Sequence, residues 1–313
     1  MLKAIQEIYT SNSWEEFERK VDKFYEKGKR GECDTKLFSN CFEWLCIFYL
    51  QIDPVFRCSY KKCLHSSEFM KDINIKKKLG LQHKETQEEG VDGLLITHDN
   101  KLVVIQCKYK EDRKKNLLAD DIDRTIRVAR GKEACKHVHT ILMCSNTKGI
   151  TKNENIRNEY EGEIKSINYD QMRLLNKHSF DQIREVIDKK IPILKKTEPK
   201  PHQSNAVKKT VSHFINKDRG KLIHACGSGK TLTSYLIYKD LKPQLTLFIV
   251  PSLQLINQVL KAWTKESLAY KDKIRPFLIC SDKSNESLEY EPELWLEHIG
   301  IKVSNEYEDF NNF

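Results

Sequence analysis

Two short stretches of this chain carry residue types that can handle phosphate chemistry. Asp92 in GVD and Gln106-Cys107-Lys108 in IQCKY put a carboxylate, an amide and an ammonium within seventeen residues. Carboxylate and carbonyl oxygens are the ligands Mg²⁺ accepts, and an ammonium beside them can orient a water and offset charge growing on a phosphate. The second stretch is Cys226-Gly227-Ser228-Gly229-Lys230-Thr231. Its glycines let backbone N–H groups surround phosphate oxygens, while Lys230 adds charge and Thr231 can ligate the Mg²⁺ of a nucleotide.

Each stretch needs elements to hold it. Apolar runs at 94–97 and 102–105 flank the polar tetrad His98, Asp99, Asn100 and Lys101, a strand, tight turn and strand. Side chains alternate along a strand, so Gln106 and Lys108 share one face and Cys107 takes the other. Reflecting the hairpin about its turn sets Asp92 opposite the 106–108 end. A carboxylate and an ammonium cost several kcal/mol each to desolvate unless they serve one another or a metal, roughly speaking.

Around the hairpin, Ser13 and Glu16 form a capping box before Phe17, Val21 and Phe24, predicting a helix over 13–28. A more apolar helix is predicted over 36–51, with Phe42, Trp44, Leu45, Phe48 and Leu50, and with Glu43 inside it. Helix rotation is not fixed by sequence, so Glu43 either faces solvent or has a task. Asp53-Pro54 ends that helix. Residues 55–90 read as irregular, with a basic cluster at Lys76, Lys77 and Lys78. Helical spacing of Ile122, Ile126 and Ala129 predicts a helix within 118–135, followed by strands at 140–144 and 164–167 and one or two helices over 172–191.

Pro192, Pro199 and Pro201, interspersed with Lys195, Lys196 and Lys200, mark a linker. Beyond it, 221–225 is predicted as a strand leading into the Gly-rich turn and a helix, 245–250 as a buried strand, and 275–280 as another.

The Asp, Gln-x-Lys spacing resembles the PD-(D/E)XK nuclease core in its Mrr-like variant, which has Gln where most members have Glu. The resemblance implies that Asp92, the Gln106 amide oxygen and the Cys107 backbone carbonyl hold Mg²⁺ or Mn²⁺, that Lys108 orients the attacking water, and that Glu43, in Phe42-Glu43, reaches the same site. The predicted order αα, β-hairpin, α, β, β, α is what that fold requires. KPHQSNAV resembles the adenine-reading motif of superfamily-two helicases, with Gln203 the reader, and Val250-Pro251-Ser252 resembles their motif Ia. His224 stands where a strict P-loop has Gly. Jointly the motifs resemble the N-terminal part of Mrr-nuclease and helicase fusions found in type I single-polypeptide restriction enzymes.

The implied architecture is α/β: a restriction-endonuclease-like mixed-sheet domain over 1–194, then an incomplete RecA-like P-loop domain over 195–313. No Asp-Glu box follows, so ATP binding is expected without efficient hydrolysis. The chain reads as a truncated gene product, a fragment of a split system or a deliberately cut piece, whose helicase lobe or methyltransferase sits on another chain. The implied function is a Mg²⁺-dependent DNA endonuclease domain fused to a truncated ATP-binding motor. The rival is a catalytically silent DNA-binding or assembly remnant, kept open by Gln106; a translocase subunit acting on RNA is a third reading.

Whole-chain properties agree with a polyanionic partner without requiring one: the net charge is +9 over 313 residues, much of it scattered lysine. Of ten cysteines, several lie in apolar runs and none forms Cys-x-x-Cys, which reads as reduced thiols in an intracellular, soluble protein. Cys58, Cys63 and His65 come nearest to a metal set, but their spacing matches no standard zinc unit. No window approaches the apolar length of a membrane span.

Overall fold

The sheet that carries the hairpin is built strand by strand from two chain direction reversals and two crossovers. In the computed structural model, β1 (Tyr60–His65), β2 (Gly93–Thr97), β3 (Leu102–Lys108), β4 (Val138–Ser145) and β5 (Glu163–Ile167) lie side by side in that order. The first two pairings are antiparallel and the last two parallel, so the sheet is mixed. The structure describes residues 2–32, 36–81, 90–150, 163–272, 274–276, 278–279 and 303–304. They fall into one compact unit spanning 1–192 with 277–313, and a second spanning 193–276.

In the first unit, α1 (Leu2–Tyr9), α2 (Trp14–Lys29) and α3 (Leu37–Ile52) precede the sheet. Ser13 caps α2 by accepting from Glu16 N, with Glu15 and Glu16 in the first turn and Lys27 and Lys29 in the last, matching the helix dipole at both ends. α3 is buried nearly all round, as its sequence of apolar residues demands, and packs against β1 and β3 as well as neighbouring helices. Asp53 does end α3, and it also starts the next helix: its Oδ1 accepts from Val55 N and Phe56 N, with Pro54 at the first helical position of α4 (Pro54–Ser59).

The reading of 55–90 as irregular is corrected here. That stretch supplies α4, the edge strand β1, the short helix α5 (Ser66–Phe69) and α6 (Ile73–Lys78), whose last turn is Lys76, Lys77 and Lys78; residues 82–89 lie outside the described set. β1 escaped notice because its sequence, YKKCLH, is half exposed and lysine-rich, the composition of an edge strand. After β3 the crossover helix α7 (Ala119–Ala129) covers one face, and α8 (Tyr169–Met172) and α9 (Lys177–Ile187) close the unit. Leu94, Val104, Ile122, Ile126, Ile141 and Met143 form the core between α7 and the sheet. Asn146 finishes the β3/β4 end: its side chain accepts from Lys110 N at 2.7 Å and donates to Lys110 O at 2.8 Å, imitating one more ladder pair.

The second unit is helical where described: α10 (Pro201–Phe214), α11 (Lys230–Leu241) and α12 (Leu253–Ala269), with Val207, Tyr235, Leu236 and Trp263 at their shared core. The strands expected at 221–225 and 245–250 do not form. Both segments run without ladder partners among the described residues, and Ile223 and Ile249 are 90% and 82% exposed. An extended parallel strand is held by its neighbours' backbone, so apolar composition alone does not make one. Within 275–280, Leu278–Ile279 form β6, paired in parallel with β7 (Val303–Ser304), and residues 277 and 280 lie outside the described set.

Candidate functional site

The antiparallel register Gly93↔Ile105 continues so that Asp92 faces Gln106, with Asp92 N donating to Ile105 O at 2.9 Å. Both side chains are buried, 6% and 4% exposed. Asp92 Oδ2 accepts from Cys107 N at 2.7 Å and from Gln106 Nε2. The same amide nitrogen lies 3.3 Å from the Cys107 carbonyl oxygen. The Gln106 NH₂ thus lies between the Asp92 carboxylate and the Cys107 carbonyl, its N–H groups presenting positive charge to both oxygens.

The other end of the Gln106 amide meets α7. Thr125 Oγ1 lies 2.9 Å from Gln106 Oε1 and 2.8 Å from Gly90 O. A hydroxyl has one proton and cannot donate to both. If it serves Gly90 O, its lone pair calls for the NH₂ of Gln106, and the flipped amide then turns Oε1 toward Asp92. Gly90 is fixed in kind by the same contact: its φ is +100°, and a Cβ there would press on Arg124 and Thr125 of α7 at 3.0 to 3.1 Å.

Glu43 reaches this region from α3. Burial pushes its carboxyl up to about 8, with the Asp92 charge adding and the Lys108 charge opposing. Burial likewise pushes Asp92 up to about 6 against the Cys107 N–H and Lys108. His65, at the end of β1, stacks on Trp44 with ring centroids 3.9 Å apart and has Nε2 3.8 Å from Glu43 Oε2. Its Nδ1 accepts from Ser67 N at 3.1 Å, which leaves the proton on Nε2, buried and without a hydrogen-bond partner among the described residues. Burial holds His65 down to about 4, so at pH 7 it is neutral and its approach to Glu43 is not an ion pair.

Asp92, Gln106 and the Cys107 carbonyl therefore meet, with Lys108 and Glu43 in electrostatic reach. Thr125 was missed, and His65 was considered only beside Cys58 and Cys63 and not with this site. The sequence does hold a sign of Thr125, a hydroxyl on the Ile122, Ile126, Ala129 stripe of an otherwise apolar helix face; His65 lies in the stretch taken as irregular. The exit of β3 is held by Arg113, whose guanidinium donates to Glu18 Oε1 at 2.6 Å and Asp22 Oδ1 at 2.7 Å on α2, while Tyr109 OH donates to Asp22 at 2.6 Å.

In the second unit Gly227 and Gly229 adopt φ of +73° and +81° and the loop leads directly into the N-terminus of α11. Lys230 Nζ donates to Ala225 O at 2.9 Å and Ser228 Oγ to the same carbonyl at 2.8 Å; Thr231 occupies the first turn. Gln203, from α10, is engaged with the loop: its Nε2 donates to Ser228 O at 2.9 Å and its Oε1 accepts from Lys200 N at 2.8 Å. A Cβ on Gly229 would collide with the Gln203 amide.

Residues 196–301 match the family described as "Type III restriction enzyme, res subunit". This part of the chain is thus restriction-enzyme-like and helicase-like. Among solved structures, the chain is similar in fold to "ATP-dependent Type ISP restriction-modification enzyme LlaBIII bound to DNA", at 19% identity and a TM-score of 0.66 over 96% of this chain. It spans 17% of the length of that enzyme. No curated protein sequence matches it. Among the described residues no helix is long and apolar enough to cross a membrane.

Proposed function

We propose that the first unit is a divalent-ion-dependent DNA endonuclease domain and that the second binds ATP as part of a restriction-type motor. The observation that carries the nuclease reading is the meeting of Asp92, Gln106 and the Cys107 carbonyl on one point, with Lys108 beside them. Two buried carboxyl groups, Asp92 and Glu43, crowd a site whose chief positive charge is Lys108, and a cation relieves that crowding. A bound Mg²⁺ or Mn²⁺ supplies phosphate charge neutralisation and acidifies a water. The chain's own residues do the rest: Asp92 and the Cys107 carbonyl hold the ion, Gln106 turns its oxygen inward, Lys108 orients the water, and Glu43 adds a second carboxylate. The likeness to a DNA-bound restriction-modification enzyme supports DNA as substrate. The test is nicking of supercoiled plasmid with Mg²⁺ or Mn²⁺, expected to vanish in chelator; persistence in chelator would overturn the reading.

Thr125 acts here as a positioning residue that sets which end of the Gln106 amide faces the ion. Thr125→Val removes the hydroxyl and is expected to weaken Mn²⁺ binding by about 10- to 100-fold in calorimetric titration. Thr125→Ser retains it and should bind like the parent chain. Equal affinity in the Val variant would remove this role.

For the second unit, ATP is held by the loop N–H groups, Lys230 and Thr231, and Gln203 contacts adenine once its amide leaves the loop carbonyls. Lys230→Ala is expected to lower affinity for a fluorescent ATP analogue by about 10-fold or more, since it removes a charge-assisted contact of roughly 1.5–3 kcal/mol. Unchanged anisotropy titrations would contradict the assignment. On this reading the nuclease domain spans 1–194 and the motor domain 195–313, a division along the chain that differs from the compact units in assigning 277–313 to the motor.

A further inference from the structure

Behind the candidate nuclease site, on the face of the sheet opposite Gln106 and Lys108, three thiols converge. Cys46 comes from α3, Cys107 from β3 and Cys144 from β4, and the last two are paired directly across the parallel strands. All three are buried, and their sulfurs lie within 4.8 Å of one another. Close packing makes no demand that sulfurs from three separate elements share one point, since any small apolar side chain fills a core. Coordination does make that demand.

The spacing suits it. With metal–sulfur bonds of about 2.3 Å, sulfurs around a common ion stand roughly 3.8–4 Å apart, so small side-chain rotations close the present triangle. We propose that Cys46, Cys107 and Cys144 form a thiolate site for a soft closed-shell cation, Cu(I). Sulfur-only donors select Cu(I) or Zn²⁺ over the hard ions of the other face. A structural Zn²⁺ takes four ligands, and the described residues offer three in this group; Cu(I) is satisfied by three. Binding replaces the thiol protons, which pass to solvent, and no electron moves.

The site is separate in chemistry from the nuclease reading and does not depend on it. It is joined to that face through one residue. Cys107 presents its N–H to Asp92 Oδ2 and its carbonyl to the Gln106 amide while its sulfur points back toward α3. An ion on the thiols therefore anchors from behind the backbone that addresses the other face.

The experiment uses the full chain, reduced and stripped of metal, titrated with Cu(I) in competition with a chromophoric Cu(I) chelator and separately with Zn²⁺. One Cu(I) per chain is expected, with a near-ultraviolet thiolate-to-copper band and a raised melting temperature. Cys46→Ala and Cys144→Ala should each weaken binding by about 100-fold or more. Cys135→Ser, at an exposed thiol outside the cluster, should bind as the parent does. Circular dichroism identifies any variant that fails to fold, and Cys144→Ser serves as the gentler replacement in that case. Retention of Zn²⁺ without Cu(I), retention of neither, or binding undiminished in the Cys46 and Cys144 variants would each overturn the proposal.

Discussion

Asp92→Ala and Lys108→Ala should each reduce Mg²⁺-dependent plasmid nicking by about 1,000-fold or more, to the level of the chelated reaction. Asp92 is the residue on which the site converges: the Gln106 amide and the Cys107 N–H both address its Oδ2, so its removal takes away an ion ligand, the acceptor of the buried Cys107 N–H and one of the Gln106 amide's contacts. Some loss of stability accompanies it. Lys108 is the cleaner probe, because it is partly exposed at the end of β3 and its truncation leaves the Asp92 and Gln106 contacts in place. Lys108→Arg keeps the charge but replaces a compact ammonium with a broad planar fork, and is expected to recover little. Equal nicking by the parent and both alanine variants would mean that the activity belongs to a contaminant. The chain would then read as a DNA-binding module, a state for which the Gln106 amide closing over Asp92 is itself a physical basis.

The second large effect is on stability. In the unfolded chain the Glu43 carboxyl ionises in its ordinary range near 4.5, whereas in the fold burial and Asp92 push it to about 8. The unfolded state therefore releases this proton first. Glu43 contributes its full stability below about pH 4.5, and that contribution is lost as pH climbs toward 8. Asp92, raised from 3.8 to about 6, acts in the same sense over a lower window. With divalent ions chelated, urea denaturation at pH 5, 7 and 9 should show falling stability, by an amount on the order of 3 kcal/mol for Glu43. Glu43→Gln should flatten most of the fall between pH 5 and 8 and be the more stable protein at pH 9. Adding Mg²⁺ at pH 9 should stabilise the parent chain more than the variant, because a cation favours the ionised carboxylates. Parallel pH profiles for the two proteins would remove Glu43 from the buried, Asp92-coupled position described here.

The hairpin was legible because it is written locally. Apolar runs, a polar turn and a two-residue period fix register once the turn is placed, and Asp92 opposite Gln106 follows by counting. Asn100, in the left-handed region at φ +62°, marks the turn where the polar tetrad put it. What the sequence could not supply is written across distance. β1 is an edge strand of lysine-rich, half-exposed composition, and only its pairing with β2 makes it a strand. The segments 221–225 and 245–250 fail in the opposite sense, having strand composition without partners among the described residues. The contact of Thr125 with Gln106 spans a crossover, and the meeting of Cys46, Cys107 and Cys144 spans a helix and two strands. No spacing rule reaches either.

The tight seat of the Gln203 amide against Gly229 has an implication for how such chains diverge. The two residues lie twenty-six positions apart, yet the present seat of the amide lies where a Cβ on residue 229 would stand. Enlarging the glycine displaces the amide from this seat, and shortening the amide removes its bonds to the Ser228 and Gly229 carbonyls. A side chain at 229 would also have to adopt the left-handed backbone that Gly229 holds at φ +81°, so the glycine is required by its own conformation as well as by its neighbour.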